Sequence, residues 1–216
     1  MEVFGLNSLI RRMKVVVLAN ESLKEELING VTAVNEAITW ISDISQLRDY
    51  AKADVYIDLL FHKDHTPALQ LLLPRLVFIN SVEHTLSETD PAFIRFNGWP
   101  TFLKSNCVEA SVLNHGGRRK AEEIFSLFQK KLEWLPDEPG FITPRIISMI
   151  INEAYISLKE GVSTKEEIDT AMKLGTNYPY GPFEWSEKIG VEKISDLLVR
   201  LGQKHHRYSL LPLLPK

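Results

Sequence analysis

Up to Pro136 the chain alternates short apolar runs with longer stretches of mixed polarity. Val15-Val16-Val17-Leu18, just after Lys14, is apolar and β-branched, which predicts a buried strand. A helix is expected next, with Ser22 and Glu25 at the spacing of a capping box. Val31–Val34 is a candidate second strand, and Asp54–Leu60 and Leu76–Ile79 are stronger ones, with a helix over Ala68–Leu73 between them. Ile94–Phe96 and Val108–Val112 read as further short strands. Arg118–Leu132 reads as an amphipathic helix with Ala121, Ile124, Phe125, Phe128 and Leu132 on one face. Strands alternating with helices argue for a parallel α/β sheet.

Beyond Leu135-Pro136-Asp137-Glu138-Pro139-Gly140 the period changes to that of helices. Two prolines and a glycine between such different patterns mark a boundary. The expected organisation is a Rossmann-like α/β domain with a shortened parallel sheet over residues 1–136, then an all-α domain over 137–216. Thr143 is a natural N-cap with Pro144 at the first helical position. The helix it opens carries Ile146, Ile147, Ile150, Ile151 and Tyr155, a face too wide for one contact. That predicts a homodimer through the C-terminal helices. Gly161 stops this helix, Ser163 with Glu166 caps the next, and Gly175 is the expected end of it. Further helices are expected to open at Pro182 and to end near Gly202.

Composition narrows the function classes. A net charge of -3 leaves no basic footprint for nucleic acid. No apolar run approaches the ~20 residues that cross a bilayer, and Met1–Arg12 has no secretory pattern. Cys107 is the only cysteine, so no internal disulfide forms, which suits a reducing cytoplasm. His62 and His65 have a spacing compatible with metal binding, but no cysteine or repeated acid completes a ligand set, so no metal is expected.

One ordered series of residues carries a resemblance. It runs through Pro139-Gly140-Phe141-Ile142 with Arg145, Asn152-Glu153-Ala154, Ser163 to Gly175, Asn177-Tyr178-Pro179 and Gly181-Pro182-Phe183-Glu184-Trp185. It ends with Arg207-Tyr208 and Leu213-Leu214. This series resembles the C-terminal domain of the 3-hydroxyacyl-CoA dehydrogenases of fatty acid metabolism. The resemblance implies a Rossmann domain ahead of it, NAD as cofactor, an acyl-CoA ligand, pairing through the C-terminal domain, and NAD-dependent oxidation of 3-hydroxyacyl-CoA to 3-oxoacyl-CoA.

The first domain matches that family only in outline. If Val15–Leu18 is the family's first strand, its three turn glycines fall on Ala19, Glu21 and Lys24, with Asn20 between the first two. Glycine is needed there for a tight turn, for close approach to the pyrophosphate and for helix–strand packing. Glu21 puts a bulky anion where phosphate would lie. Asn35 or Glu36 stands where the family has its ribose-binding acid, and His62 where it has a cofactor-contacting glutamate. The segment between Val34 and Asp54 is too short for the family's helical excursion.

The family's catalytic histidine falls on Ile94, with Arg95 beside it; neither is a general base near neutral pH. Glu109 takes the place of the glutamate that orients that histidine, a relic of the pair or else a plain strand glutamate. Asn80 and Ser81 match two of the substrate-facing positions; Val82 and Pro144 replace two others. His84 and His115 are expected to flank the sheet's carboxyl edge. Two classes of function follow: a 3-hydroxyacyl-CoA dehydrogenase with a rearranged site, or a non-catalytic relative that binds an acyl-CoA-like ligand or a partner chain.

Overall fold

The computed structural model describes residues 13–31 and 37–208. The chain forms two compact units, Met1–Glu138 and Pro139–Lys216.

The first unit is built on one seven-stranded sheet, in the order β2-β1-β3-β4-β5-β6-β7. Its strands are β1 (Val15–Leu18), β2 (Ile38–Ile41), β3 (Val55–Asp58), β4 (Leu76–Asn80), β5 (Ile94–Phe96), β6 (Cys107–Ser111) and β7 (Lys131–Trp134). The pairs from β2 through β5 are parallel. β6 is antiparallel to β5, and β7 runs with β6. The sheet is therefore parallel up to β5 and reverses beyond it.

Alternation along each strand feeds two cores. Val15 and Val17 join Ile57, Phe78 and Phe96 on one face. There α1 (Glu21–Leu27) contributes Leu23 and Leu27, and α3 (Arg118–Ser126) contributes Ala121, Ile124 and Phe125. Val16 and Leu18 join Tyr56, Val77 and Ile79 on the other face. That face is covered by slighter pieces: a 3-10 turn at Ile44–Tyr50, which supplies Leu47, and the five-residue α2 (Thr66–Gln70), which supplies Leu69.

Several expectations need correcting. The strand that pairs with β1 opposite β3 is Ile38–Ile41; of the expected strand Val31–Val34, residues 32–34 lie outside the described residues. The helix from Arg118 ends at Ser126, and Gln129 turns the chain with a φ of 55° before β7. Leu132 is still buried, at 3% exposure, because strand alternation turns it inward as helical spacing would have done. The cap of α1 is Asn20, whose extended backbone lets Oδ1 accept from Leu23 N, and not Ser22.

The second unit is helical: α4 (Thr143–Lys159), α5 (Lys165–Thr176), α6 (Pro182–Ile189) and α7 (Val191–Lys204). Ile142, not Thr143, stands at the start of α4 and makes no side-chain cap. The capping box before α5 is Thr164 with Glu167, one residue later than expected. Asn177, with a φ of 57°, ends α5 where Gly175 was expected to; asparagine tolerates the left-handed region. Asp169 on α5 accepts from the backbone N–H groups of Phe183 and Glu184, at 2.8 and 3.2 Å, and so caps α6. Gly181 is required there, since any Cβ would run into the Asp169 side chain.

Candidate functional site

In a parallel sheet, ligands bind beyond the carboxyl ends of the strands, where the strand order reverses. Here that point lies at β1, between β2 and β3. The turn after β1 is already engaged by its own chain. Ala19 is 8% exposed and its N–H donates to Ile41 O at 3.0 Å. Asn20 Oδ1 takes the Leu23 N–H at 2.9 Å. The exposed Glu21 carboxylate sits on the first turn of α1 and pairs with Lys24 at 3.2 Å. A pyrophosphate there would meet a carboxylate and a donor already in use, on a helix of only seven residues. The turn thus lacks the glycines by which a backbone approaches a pyrophosphate. Asn35 and Glu36 lie outside the described residues.

At the end of β4, Asn80 serves as a clamp. Its Nδ2 donates to Leu59 O and Gly98 O at 2.9 and 2.8 Å, and its Oδ1 accepts from Gly98 N at 2.9 Å. A Cβ at residue 98 would lie 2.7 Å from Asn80 Cγ, so glycine is needed. Ser81 is buried and its hydroxyl donates to His84 O at 2.9 Å. Asn80 and Ser81 thus join the loops after β3, β4 and β5, and their hydrogen-bonding groups face the protein. Glu109 on β6 reaches this edge and accepts from Asn97 Nδ2 at 3.0 Å.

Ile94, on which the sequence resemblance sets the family's histidine, is buried in the core. Arg95 points the other way and is fully buried. Its Nε donates to Asp137 Oδ1 at 2.5 Å, its Nη1 to Ser81 O and its Nη2 to Glu138 O. Asp137 also accepts from Leu86 N at 2.9 Å. Sequence reasoning missed this pair because nothing in a local window links residues 42 positions apart.

It missed a second pair at the edge itself. Asp58 ends β3, is 1% exposed, and lies with Oδ2 2.7 Å from His65 Nδ1; its Oδ1 accepts from Leu60 N at 2.9 Å. Burial pushes the Asp58 carboxyl up, against the pull of His65. The hydrogen bond that His65 donates to Asp58 raises His65, helped by the charges of Asp58, Asp64 and Asp43 and opposed by burial. A carboxylate that fixes one ring nitrogen leaves the other to exchange protons, which is the geometry of a general base. His62, by contrast, caps the next 3-10 turn and is largely exposed, 3.2 Å from Asp64. His84 lies 3.7 Å from Glu88. His115 follows β6, which runs against β5, so it lies at the opposite edge from the one expected. Among the described residues no cluster could hold a metal ion.

Residues 140–214 match the family described as 3-hydroxyacyl-CoA dehydrogenase, C-terminal domain. A 3-hydroxyadipyl-CoA dehydrogenase of Escherichia coli (strain K12) is 41% identical over 97 residues, which are 45% of this chain and 20% of that protein. A 3-hydroxybutyryl-CoA dehydrogenase of Bradyrhizobium diazoefficiens is 38% identical over 98 residues, 44% of this chain and 33% of that protein. The chain therefore matches a third or less of the length of these curated relatives. In fold it is similar to FadB2 of M. tuberculosis (TM-score 0.72, 14% identity, 94% of this chain and 92% of that one). It is also similar to an (S)-3-hydroxybutyryl-CoA dehydrogenase of Ralstonia eutropha (TM-score 0.67, 18% identity, with the same coverage of each chain). At these identities the likeness is one of fold.

Proposed function

We propose that this chain, which belongs to the 3-hydroxyacyl-CoA dehydrogenase family through its C-terminal domain, no longer runs the family reaction and acts as an acyl-CoA-binding, self-pairing subunit. The observation that carries this is the turn after β1, where Asn20 takes the helix N–H and Glu21 takes the phosphate position. Calorimetry with NAD and with acetoacetyl-CoA tests it. Binding of acetoacetyl-CoA without NAD is expected; micromolar NAD binding overturns it. Glycine at Ala19, Glu21 and Lys24 together should not restore oxidation, because Ile94 supplies no base.

Self-pairing is expected through the helical unit. Ile142 and Ile146 are each 53% exposed, whereas Ile147 and Ile151 are buried within the single chain. The exposed pair is therefore the one to mutate: Ile146→Asp should give a monomer by light scattering where the native chain gives a dimer. No helix among the described residues is long and apolar enough to cross a membrane. The single, exposed Cys107 suits a reducing compartment such as the cytoplasm.

The Asp58–His65 pair favours a second reading, a proton-transferring enzyme with a rearranged site. Turnover of 3-hydroxybutyryl-CoA that disappears in His65→Gln would establish it in place of the first.

A further inference from the structure

Among the described residues the second face of the sheet is thinly covered, and the gap has a defined chemistry. Between the 3-10 turn at Ile44–Tyr50 and α2 lies a cleft of about 350 Å³. Its walls are mainly apolar: Ile44, Leu47, Ala68, Leu71 and Leu72. Leu71 at its rim is 84% exposed, although leucine gains from burial. A second hollow of about 410 Å³ shares Arg48 and Ala51 with the cleft, so the two adjoin. It is lined by Lys14, Arg48 and Lys52, with Asp49 as the one carboxylate among its lining residues. Among the described residues no hydrogen bond or ion pair engages the side chains of these three cations. Lys14 precedes β1 and Lys52 precedes β3, so the hollow lies at the amino edge of the parallel strands, away from Asp58 and His65.

An apolar slot that opens onto a cationic hollow suits one kind of ligand, a molecule with an acyl chain at one end and phosphates at the other. We infer that this joined cleft is an acyl-CoA site, with the acyl chain between Leu47 and Leu72 and the phosphorylated head on Arg48, Lys14 and Lys52. The inference rests on the acyl-CoA reading above and gives it a location. Burial of the chain supplies affinity by excluding water, and the cations supply a salt-dependent attraction to phosphate. Neither part requires the turn after β1 to hold anything.

The test is calorimetry of the full chain with octanoyl-CoA, free CoA and octanoate. Octanoyl-CoA should bind most tightly, and affinity should rise about fourfold per methylene from butyryl-CoA until the cleft is full. Ala68→Trp fills the cleft and should weaken octanoyl-CoA binding at least ~10-fold. Arg48→Glu should weaken it by about the same factor and remove most of its salt dependence. Leu71→Asp, at an exposed position, should weaken it with the melting temperature unchanged, and it serves if Ala68→Trp does not fold. If octanoyl-CoA binds equally well to all three variants, the location is wrong while the acyl-CoA reading stands. If octanoate binds as tightly as octanoyl-CoA, the cationic hollow has no part and the inference fails. If no thioester binds the native chain, the location and the reading fall together.

Discussion

The two units of this chain hold their folds by different means. The sheet unit relies on buried polar pairs that join distant residues: Arg95 with Asp137 and Asn80 with Gly98. The helical unit relies mostly on caps at helix ends, with partners a few residues apart, as in Thr164 with Glu167 and Gly181 with Glu184. Asp169 reaches further, yet it too acts as a cap. Long-range pairs survive only while both partners stay in place. Local caps are carried along with their own segment. The difference bears on why the helical unit is recognisable from its sequence and the sheet unit mainly from its fold.

The largest expected effect breaks the long-range kind. Asp137→Ala leaves the fully buried Arg95 guanidinium without its carboxylate. Breaking a buried pair from one side costs about 3–5 kcal/mol. Urea unfolding should show a loss of that size, and a loss under ~1 kcal/mol would mean the sheet unit does not depend on the pair. Asn80→Ala comes next. It strands the Leu59 and Gly98 carbonyls and the Gly98 N–H, and should cost about 3 kcal/mol. Thr164→Ala, the local kind, removes one cap bond and should cost about 1 kcal/mol. If the cap cost more than either pair, the contrast between the units would be lost.

The same contrast explains what the sequence discloses. β1, β3, β4, β5 and β6 follow from runs of β-branched and aromatic residues, and α4, α6 and α7 from apolar spacing with proline and glycine punctuation. β7 does not, because Leu132 satisfies a helical and a strand period at once. The caps of α1 and α5 fell one or two residues away, since Asn20, Ser22, Ser163 and Thr164 are all able to cap and only the backbone decides. The residues of the turn after β1 were legible because they are adjacent in the chain. The roles of Arg95 and Asn80 were not, since each depends on a partner that the sheet topology brings in; Asp58 depends on the turn that folds His65 back onto it seven residues later.

Acidity offers the finest test, because Asp58 and His65 in the sheet unit and Glu167 and Glu184 in the helical unit carry shifts of opposite sign. In the sheet unit His65 is raised above its ordinary 6.5 by Asp58, and Asp58 is raised above 3.8 by burial. A group whose folded pKa is raised stabilises fully below its unfolded value and loses that stabilisation as pH rises through the folded value. His65 therefore takes stability from the sheet unit on the alkaline side of 6.5. In the helical unit Glu167 is lowered below 4.5 by hydrogen bonds from Ser163 and Thr164, and Glu184 by Lys173 and the Gly181 N–H. A lowered carboxyl stabilises above its unfolded value and loses that as pH falls through the folded one. The helical unit should therefore weaken on the acid side of 4.5. Hydrogen exchange read separately for β3 and α5, corrected for the intrinsic pH dependence of amide exchange, distinguishes the two. His65→Gln should flatten the alkaline loss in β3 without touching α5, and Glu167→Gln should flatten the acid loss in α5 without touching β3. Glu167 is exposed and Glu184 half-buried, so the acid effect should also shrink with added salt more than the alkaline one does. If both segments weaken in the same pH direction, the division into buried pairs and surface caps does not govern how this chain responds to protons.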